Sequence, residues 1–271
     1  MSIEVAVIPA AGRGTRMRPA TRVVPKALLG VVDRPAIQYA VEEAARAGAK
    51  EAVVVVDLDT GHLISQHFSL EGPLPGLEDI RIRPAVQEEP LGLGHAVWEA
   101  REMVRDRPFF CILSDNIVRP GHDVLPAMEQ GSVGGEVSVV CLREYGDEYL
   151  DRYGFVIPAS DVEDRYLDLS GAVEKPGKES APSNLGLVGR YIFTPEIFGI
   201  LEDTKPGALD EIQLTDGIHE LGSRGRLRGY VADTDLLDVG TPAGLLKATV
   251  ELGLHQFGSD FQDFLDDLAG R

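Results

Sequence analysis

The sequence has little that would suit it to a membrane, an oxidising compartment or nucleic acid. No apolar run approaches the ~18 residues of a membrane span, and the opening MSIEVAVI lacks the basic region of a secretory signal. It has 2 cysteines, Cys111 and Cys141, both within strand-like apolar runs, so we expect buried free thiols in a reducing cytoplasm. A formal net charge of −18 argues against a nucleic-acid or anionic-membrane partner.

What is present is enough apolar material for a large α/β domain. The chain has 271 residues, of which 44% are hydrophobic, and strand-like runs alternate with helical patterns. This alternation favours a mixed, mainly parallel sheet with helices on both faces. The apolar runs predict strands at 5–8, 52–56, 80–86, 109–113, 136–142, 154–157, 172–174 and 184–193.

The helical periodicity of apolar residues, together with capping residues and prolines, predicts helices between these strands. One begins at Pro35 and ends at Gly48, and a second spans 95–104. Asp210, together with Gln213, is expected to cap a third. Another begins at Thr241-Pro242, and an acidic amphipathic tail follows Phe257. A loop is expected at 71–76. We predict a single domain over 1–271, with the helical segment at about 241–271 used in packing or oligomerisation.

The first predicted strand leads into a loop of small residues followed by two cations. The loop runs from Pro9 to Arg16 as PAAGRGTR, and Lys26 follows. Small residues let backbone N–H groups approach an anion, and an arginine and a lysine can hold a polyphosphate. A tight turn alone would also explain the glycines. The loop is neither a dinucleotide fingerprint, since Met17 replaces the third small residue, nor a Walker A loop. It favours a nucleoside triphosphate site.

Two aspartates come at the ends of apolar stretches. Asp115 follows the strand predicted at 109–113, and Asp238 precedes the helix that begins at Thr241-Pro242. Ligands of open α/β sheets bind at the carboxyl ends of strands, and Mg²⁺ prefers carboxylates and substrate phosphates. The alternatives are a turn residue for Asp115 and an acidic residue ahead of a helix for Asp238.

Two further segments carry polar side chains at predicted strand ends. Gln87 lies in a glycine-rich turn into a helix, and its amide can both donate to and accept from a base edge. A helix-entry loop is the alternative there. Glu174 and Lys175 stand together before a proline, and by themselves these residues are interpreted as solvated charges at a strand end.

The motif PAAGRGTRMRPAT…PK resembles the signature of sugar-1-phosphate nucleotidyltransferases, in particular the bacterial uridylyltransferases that act on glucose 1-phosphate. The resemblance implies a three-layer, Rossmann-like fold. It also implies transfer of a nucleotidyl group from a nucleoside triphosphate, with UTP favoured, to a sugar 1-phosphate, with glucose 1-phosphate favoured. Mg²⁺ is the implied cofactor, and a homodimer or homotetramer is the implied assembly.

The same resemblance implies a role for each motif. The catalytic residues would be Arg16, Lys26, Asp115 and Lys175, and the metal ligands Asp115 and Asp238. The nucleotide would contact Ala10, Ala11, Gly12, Gly14, Thr15, Arg16, Gln87 and Gly92. The sugar phosphate would contact Gly154, Glu174, Lys175 and Asn184. Because a phosphate dianion is already a nucleophile, catalysis would consist of positioning and charge neutralisation.

Departures from the family pattern leave the base and the sugar open. Ala27 stands where uridylyltransferases commonly have glutamate, Asn116 follows the first metal aspartate, and the segment at 57–80 is shorter than usual. Thymidylyl or other nucleotidyl transfer to another hexose or cyclitol phosphate is therefore an alternative. A non-catalytic nucleotide-binding member of the family is a second, and a nicotinamide-dependent oxidoreductase is a third.

Overall fold

The structure, a computed structural model, describes residues 2–70, 72–207, 210–234 and 236–270. Its strands are β1 Val5–Pro9, β2 Gly30–Val31, β3 Arg34–Pro35, β4 Glu51–Asp57, β5 Arg81–Gln87, β6 Phe109–Ile112, β7 Asn116–Val118, β8 Ser138–Glu144, β9 Gly154–Pro158, β10 Tyr166–Glu174, β11 Leu185–Phe193, β12 Leu227–Val231 and β13 Leu236–Asp238.

The helices are α1 Ala36–Arg46, α2 Gly61–Ser69, α3 Leu93–Trp98, α4 Arg101–Val104, α5 Val124–Gly131, α6 Gly177–Ser180, α7 Glu196–Asp203, α8 Leu214–Ser223, α9 Pro242–Phe257 and α10 Ser259–Ala269. Short 3₁₀ turns occur at Thr15–Met17, Ala20–Arg22, Lys26–Leu28 and Asp147–Tyr149. Within the described ranges, no helix is both long enough and apolar enough to cross a bilayer.

Nine of the described strands form one mixed sheet in the order β5-β4-β1-β6-β11-β8-β12-β10-β9. Neighbours from β5 to β6 are parallel, as is the pair β8–β12, whereas the other pairings are antiparallel. The mixed α/β fold is confirmed. Parallel pairing dominates only in the first half, because the later strands, apart from the β8–β12 pair, are antiparallel to their neighbours.

Helices cover both faces of this sheet, as predicted. Alternate residues of β1 point to opposite sides: Val5 and Val7 lie in the cluster packed against α3, α7 and α8, whereas Ala6 and Ile8 lie in the cluster packed against α1, α2 and α5. A third, smaller cluster joins α9 to β2, β7 and β13. The fold therefore has three layers, with α9 at the side where β7 and β13 pair.

Several elements differ from the sequence prediction. The helix predicted at 95–104 is two short helices, α3 and α4. Asp210 does not cap α8, which begins at Leu214 with Gln213 at its N-cap and no side-chain capping bond. The reason lies in the preceding backbone: Ile212 N donates to Leu91 O at 2.7 Å, and Ile212 O accepts from Gly94 N at 2.8 Å. These bonds hold the chain out of the helix until Gln213.

Other predictions are confirmed. Thr241 caps α9 by accepting a hydrogen bond from Gly244 N, with Pro242 at the first helical position. Cys111 and Cys141 are buried free thiols, and burial raises the pKa of Cys141 to about 12. Residues 72–76 form a loop, and Glu71 lies outside the described residues. The sequence prediction missed α2, α5 and α7, and also the β7–β13 pair that turns out to organise the site.

Candidate active site

The loop after β1 is anchored at its start and open at its tip. Ala10 N donates to Val55 O of β4 at 2.7 Å, and Ala10 and Ala11 are buried. Gly12, Thr15 and Arg16 are exposed. The loop therefore presents small residues and a cation to solvent from a fixed base, which is the arrangement that an anion site needs.

Gly14 brings Lys26 against this loop. Its φ is +57°, and an added Cβ would lie 3.0 Å from Lys26 Cβ and 3.1 Å from Thr21 Cγ2. Thr21 Oγ1 donates to Gly14 O at 2.6 Å and fastens the turn. A side chain at Gly14 would be strained and crowded, so glycine here lets the lysine segment pack under the loop.

Lys26 in turn contacts the first of the two aspartates. Its Nζ donates to Asp115 Oδ2 at 2.6 Å, and about a fifth of each side chain is exposed, 20% and 22% respectively. Burial works against the charged form of Asp115, but the Lys26 ammonium, with a further contribution from Arg16, holds the pKa of that carboxyl below its usual value. Asp115 is therefore ionised at neutral pH.

The pairing of β7 with β13 brings Asp238 to Asp115. Asp238 is the cross-strand partner of Asn116, and Val239 N donates to Asp115 O at 2.8 Å. An added Cβ at Gly240 would lie 3.0 Å from Asp238 Oδ1 and 3.1 Å from Asp115 Oδ2. The two carboxylates thus face one small space, which only a glycine at 240 leaves open.

This pair suits a hard divalent cation by its oxygen donors. Among the described residues, no group of three or more His, Cys, Asp or Glu side chains is arranged to hold a metal ion. Two carboxylates alone give an incomplete ligand set, which is the usual arrangement for Mg²⁺ bound together with substrate phosphates and water. The donors present therefore fit a metal that arrives with a phosphorylated substrate.

Gln87 lies at the carboxyl end of β5, with its side-chain amide directed inward. It is 5% exposed, and its Nε2 donates to Gly92 O at 3.1 Å and contacts His95 Nδ1 at 2.9 Å. His95 Nε2 is 3.2 Å from Glu99 Oε1. Gly92 has φ +106° and an added Cβ would lie 2.7 Å from Ile212 O. Gln87, His95 and Glu99 thus form a chain of contacts at the loop.

Of the residues expected to contact the sugar phosphate, Gly154 and Lys175 lie next to Glu174. Thr215 Oγ1 donates to Glu174 Oε2 at 2.6 Å, and Lys175 Nζ is 3.1 Å from Glu174 Oε1. Gly154 is the cross-strand partner of Glu174, and an added Cβ there would lie 3.1 Å from Glu174 Oε2. Asn184 is exposed, and its carbonyl accepts from Tyr145 N at 2.9 Å.

Electrostatics connect the residues beside Gly154 with the carboxylates. Burial raises the pKa of Tyr153, which precedes Gly154, and the charge of Asp238 raises it further, while Arg16 acts in the opposite direction. Arg152 Nη2 is 3.8 Å from Asp238 Oδ2. Tyr153 therefore lies within reach of charges from both the glycine loop and the aspartate pair.

Sequence reasoning missed the contacts made by Thr21, Arg152 and Thr215. Thr215 lies near the start of the helix for which the sequence predicts only a cap at Asp210, and its hydroxyl fixes the Glu174 carboxylate. No local pattern signals these contacts, because each joins positions on different elements.

The chain is similar to known nucleotidyl transferases in sequence and in fold. The family model described as nucleotidyl transferase matches residues 5–253. A UTP--glucose-1-phosphate uridylyltransferase of Bacillus subtilis (strain 168) is 38% identical over 270 residues, covering 93% of this chain and 92% of the relative. One from Staphylococcus haemolyticus (strain JCSC1435) is 39% identical over 272 residues, covering 93% of both. A crystal structure of a UDP-glucose pyrophosphorylase complexed with UDP-glucose matches with a TM-score of 0.85 at 34% identity, covering 91% of this chain and 97% of that one.

Proposed function

We infer that this chain, which belongs to the nucleotidyl transferase family, transfers a uridylyl group from UTP to glucose 1-phosphate and releases pyrophosphate. The observation that carries this proposal is the convergence of the glycine loop, Lys26 and the Asp115–Asp238 pair on one space. A triphosphate on the loop would place its phosphates next to both carboxylates. The full set of expected site residues also speaks against a non-catalytic member of the family.

We propose that a phosphate oxygen of glucose 1-phosphate attacks the α-phosphorus of UTP in line, and that pyrophosphate leaves. Asp115 and Asp238 would hold a divalent ion, proposed to be Mg²⁺, which supplies charge neutralisation between the two anionic substrates. Arg16 stabilises charge developing on the triphosphate, and Lys26 binds a phosphate oxygen beside Asp115. The chain therefore contributes mainly by positioning the two substrates and neutralising their charge, and the reaction has no covalent intermediate.

The sugar phosphate is assigned to the Glu174 side of the site. Lys175 carries its ammonium next to Glu174 and would bind the attacking phosphate. Glu174, held in place by Thr215, would accept hydrogen bonds from sugar hydroxyls. Gly154 leaves space beside that carboxylate, and Asn184 lies exposed at the start of β11. This division predicts that sugar and nucleotide binding can be weakened separately.

Pyrophosphate release with glucose 1-phosphate and Mg²⁺ tests the assignment, run in parallel with UTP, dTTP, ATP, CTP and GTP. We expect release to be fastest with UTP. A preference for dTTP would keep the mechanism and make Ala27 and Asn116 markers of a different base specificity. If no nucleotide supports release, a panel of other hexose and cyclitol phosphates follows, and failure of that panel would contradict the proposed activity.

The contacts of Gln87 predict which bases are accepted. If both N–H groups of the amide are engaged by Gly92 O and His95 Nδ1, the amide oxygen is the atom left for a base. Uracil and thymine present an N3–H donor to such an oxygen, whereas cytosine presents an acceptor. We therefore expect His95→Ala, which frees the amide to turn, to reduce the ratio of kcat/KM for UTP over CTP by roughly tenfold.

The measurement is that ratio for the wild type and the variant. His62→Ala, on an exposed histidine of α2, is the matched control and should leave the ratio unchanged. An unchanged UTP over CTP ratio in His95→Ala would remove the histidine from base selection.

We also propose that the chain folds as a single nucleotidyltransferase domain, works in the cytoplasm and assembles as a homodimer or homotetramer. Two buried free thiols support a reducing compartment. The helices α9 and α10 support assembly, because Phe257, Phe264 and Leu268 remain exposed on them. Light scattering coupled to size-exclusion chromatography measures the mass; a monomer at working concentration would contradict the assembly.

A further inference from the structure

A buried ion pair lies directly behind the Asp115 turn. Arg190 of β11 is fully buried, and Glu43 of α1 is 5% exposed. Arg190 Nε donates to Glu43 Oε1 at 2.9 Å, and Nη2 donates to Glu43 Oε2 at 2.8 Å. The apolar run at 184–193 predicts only a strand here, which does not explain a buried charge within it.

The rest of the guanidinium binds main-chain carbonyls on either side of Asp115. Nη2 donates to Asn116 O at 2.6 Å, and Nη1 donates to Leu113 O at 3.2 Å and to Gly189 O at 3.1 Å. Together with the carboxylate, these acceptors occupy the five N–H groups of the fork. Because all five donors have partners and no alternative partner competes, the Arg190 side chain is fixed in one position.

The turn is fixed from two other directions as well. Leu113 N donates to Gly189 O at 3.0 Å, and Val239 N donates to Asp115 O at 2.8 Å. Gly189 has φ +80°, and an added Cβ would lie 2.9 Å from Asn116 Nδ2. The backbone around Asp115 is thus held by the hydrogen bonds of Arg190 and by the bond from Val239, which follows β13. The Asp115 side chain points towards Lys26 and Asp238.

The pair also connects the two halves of the phosphate site. Glu43 belongs to α1, which packs against the 3₁₀ turn that carries Lys26. Arg190 therefore connects α1, which packs against the Lys26 turn, to the turn that carries Asp115. A lysine at 190 could not do this, because an ammonium has three donors and no planar fork to reach a carboxylate and carbonyls on two sides.

We propose that Arg190, held by Glu43, is a positioning residue that sets the metal affinity of the Asp115–Asp238 pair. The inference rests on the proposed function, since it takes those carboxylates to be the metal ligands. Arg190 touches neither substrate nor metal; it acts through the carbonyls of Leu113 and Asn116. Without the Arg190 hydrogen bonds, the turn that carries Asp115 relaxes and the two carboxylates no longer face the same space.

The test measures Mn²⁺ binding from the electron paramagnetic resonance signal of free Mn²⁺ in the presence of UTP, with Mn²⁺ and UTP without protein as the baseline, because UTP itself binds Mn²⁺. Arg190→Lys is expected to weaken Mn²⁺ binding on the order of tenfold. In steady-state assays kcat should fall at fixed low metal and recover as metal is raised, while KM for UTP changes little. Ile64→Val is the stability control, because Ile64 is buried in α2 against the other end of the sheet.

Glu43→Gln is the second variant, in case Arg190→Lys does not fold. It preserves side-chain shape and the carbonyl bonds but removes the charge, so we expect a smaller loss of Mn²⁺ affinity in the same direction. Folded variants of Arg190 and Glu43 that bind Mn²⁺ as tightly as wild type, with lower melting temperatures alone, would overturn the proposal. If the wild type binds no Mn²⁺ with UTP, the metal site itself fails, which is a different result.

Discussion

Asp115→Asn is expected to fold normally and to lose turnover by a factor on the order of 10²–10³. The substitution preserves the volume of the side chain but removes one of the two charges that face the space beside Gly240. Without that charge the divalent ion proposed to offset repulsion between UTP and glucose 1-phosphate would be held only weakly. Asp238→Asn should behave in the same way. The measurement is kcat at saturating substrates and metal, with the melting temperature as the check on folding.

The effect on stability should be small in comparison. The Lys26–Asp115 pair is about four-fifths buried, but the asparagine oxygen can still accept a hydrogen bond from Lys26 Nζ, so we expect a loss of stability on the order of 1–2 kcal/mol. Asp106→Asn, on an exposed aspartate before β6, is the matched control and should retain full activity. Full activity of both Asp115→Asn and Asp238→Asn would contradict the metal assignment.

Lys175→Ala is expected to lower kcat/KM for glucose 1-phosphate by roughly 10- to 100-fold, the range for a lost hydrogen bond between charged groups. UTP binding should change little, because the lysine ammonium pairs with Glu174, on the side of the site assigned to the sugar phosphate. Isothermal titration with UTP measures nucleotide binding, and steady-state kinetics with varied glucose 1-phosphate measures use of the sugar phosphate.

Lys178→Ala provides the control three residues away. Lys178 is also exposed and pairs with Asp147 Oδ2 at 2.6 Å, outside the Glu174 contacts. Its loss removes a surface cation of the same kind and should leave both parameters unchanged. A fall in UTP affinity in Lys175→Ala, with sugar-phosphate use intact, would show that the pocket is divided differently.

The first half of the fold could be predicted from sequence because it obeys local rules. Buried parallel strands appear as continuous apolar runs, and the runs at 5–8 and 52–56 became β1 and β4, while the stretch at 80–86 became the more exposed edge strand β5, with no boundary shifted by more than one residue. The loop after β1 and the aspartates after two apolar stretches follow from the same logic, since ligands bind at strand ends.

The second half depends on long-range partners that no window of sequence contains. Asp210 looked like a helix cap, but Ile212 is held extended by Leu91 and Gly94, more than a hundred residues earlier in the chain. Arg190 looked like part of a core strand, and only the structure shows Glu43 as its partner. The short β7–β13 pair, which joins Asn116 to Asp238, is likewise invisible until the chain is folded.

The most direct test of the proposed reaction is ³¹P NMR of UTP, glucose 1-phosphate and Mg²⁺ with the wild-type protein. We predict that the resonances of UTP and glucose 1-phosphate decline together while UDP-glucose and pyrophosphate appear in equal amounts, and that Asp115→Asn leaves the mixture largely unchanged. Substrates that persist with folded wild-type protein, or UTP consumed without loss of glucose 1-phosphate, would contradict uridylyl transfer.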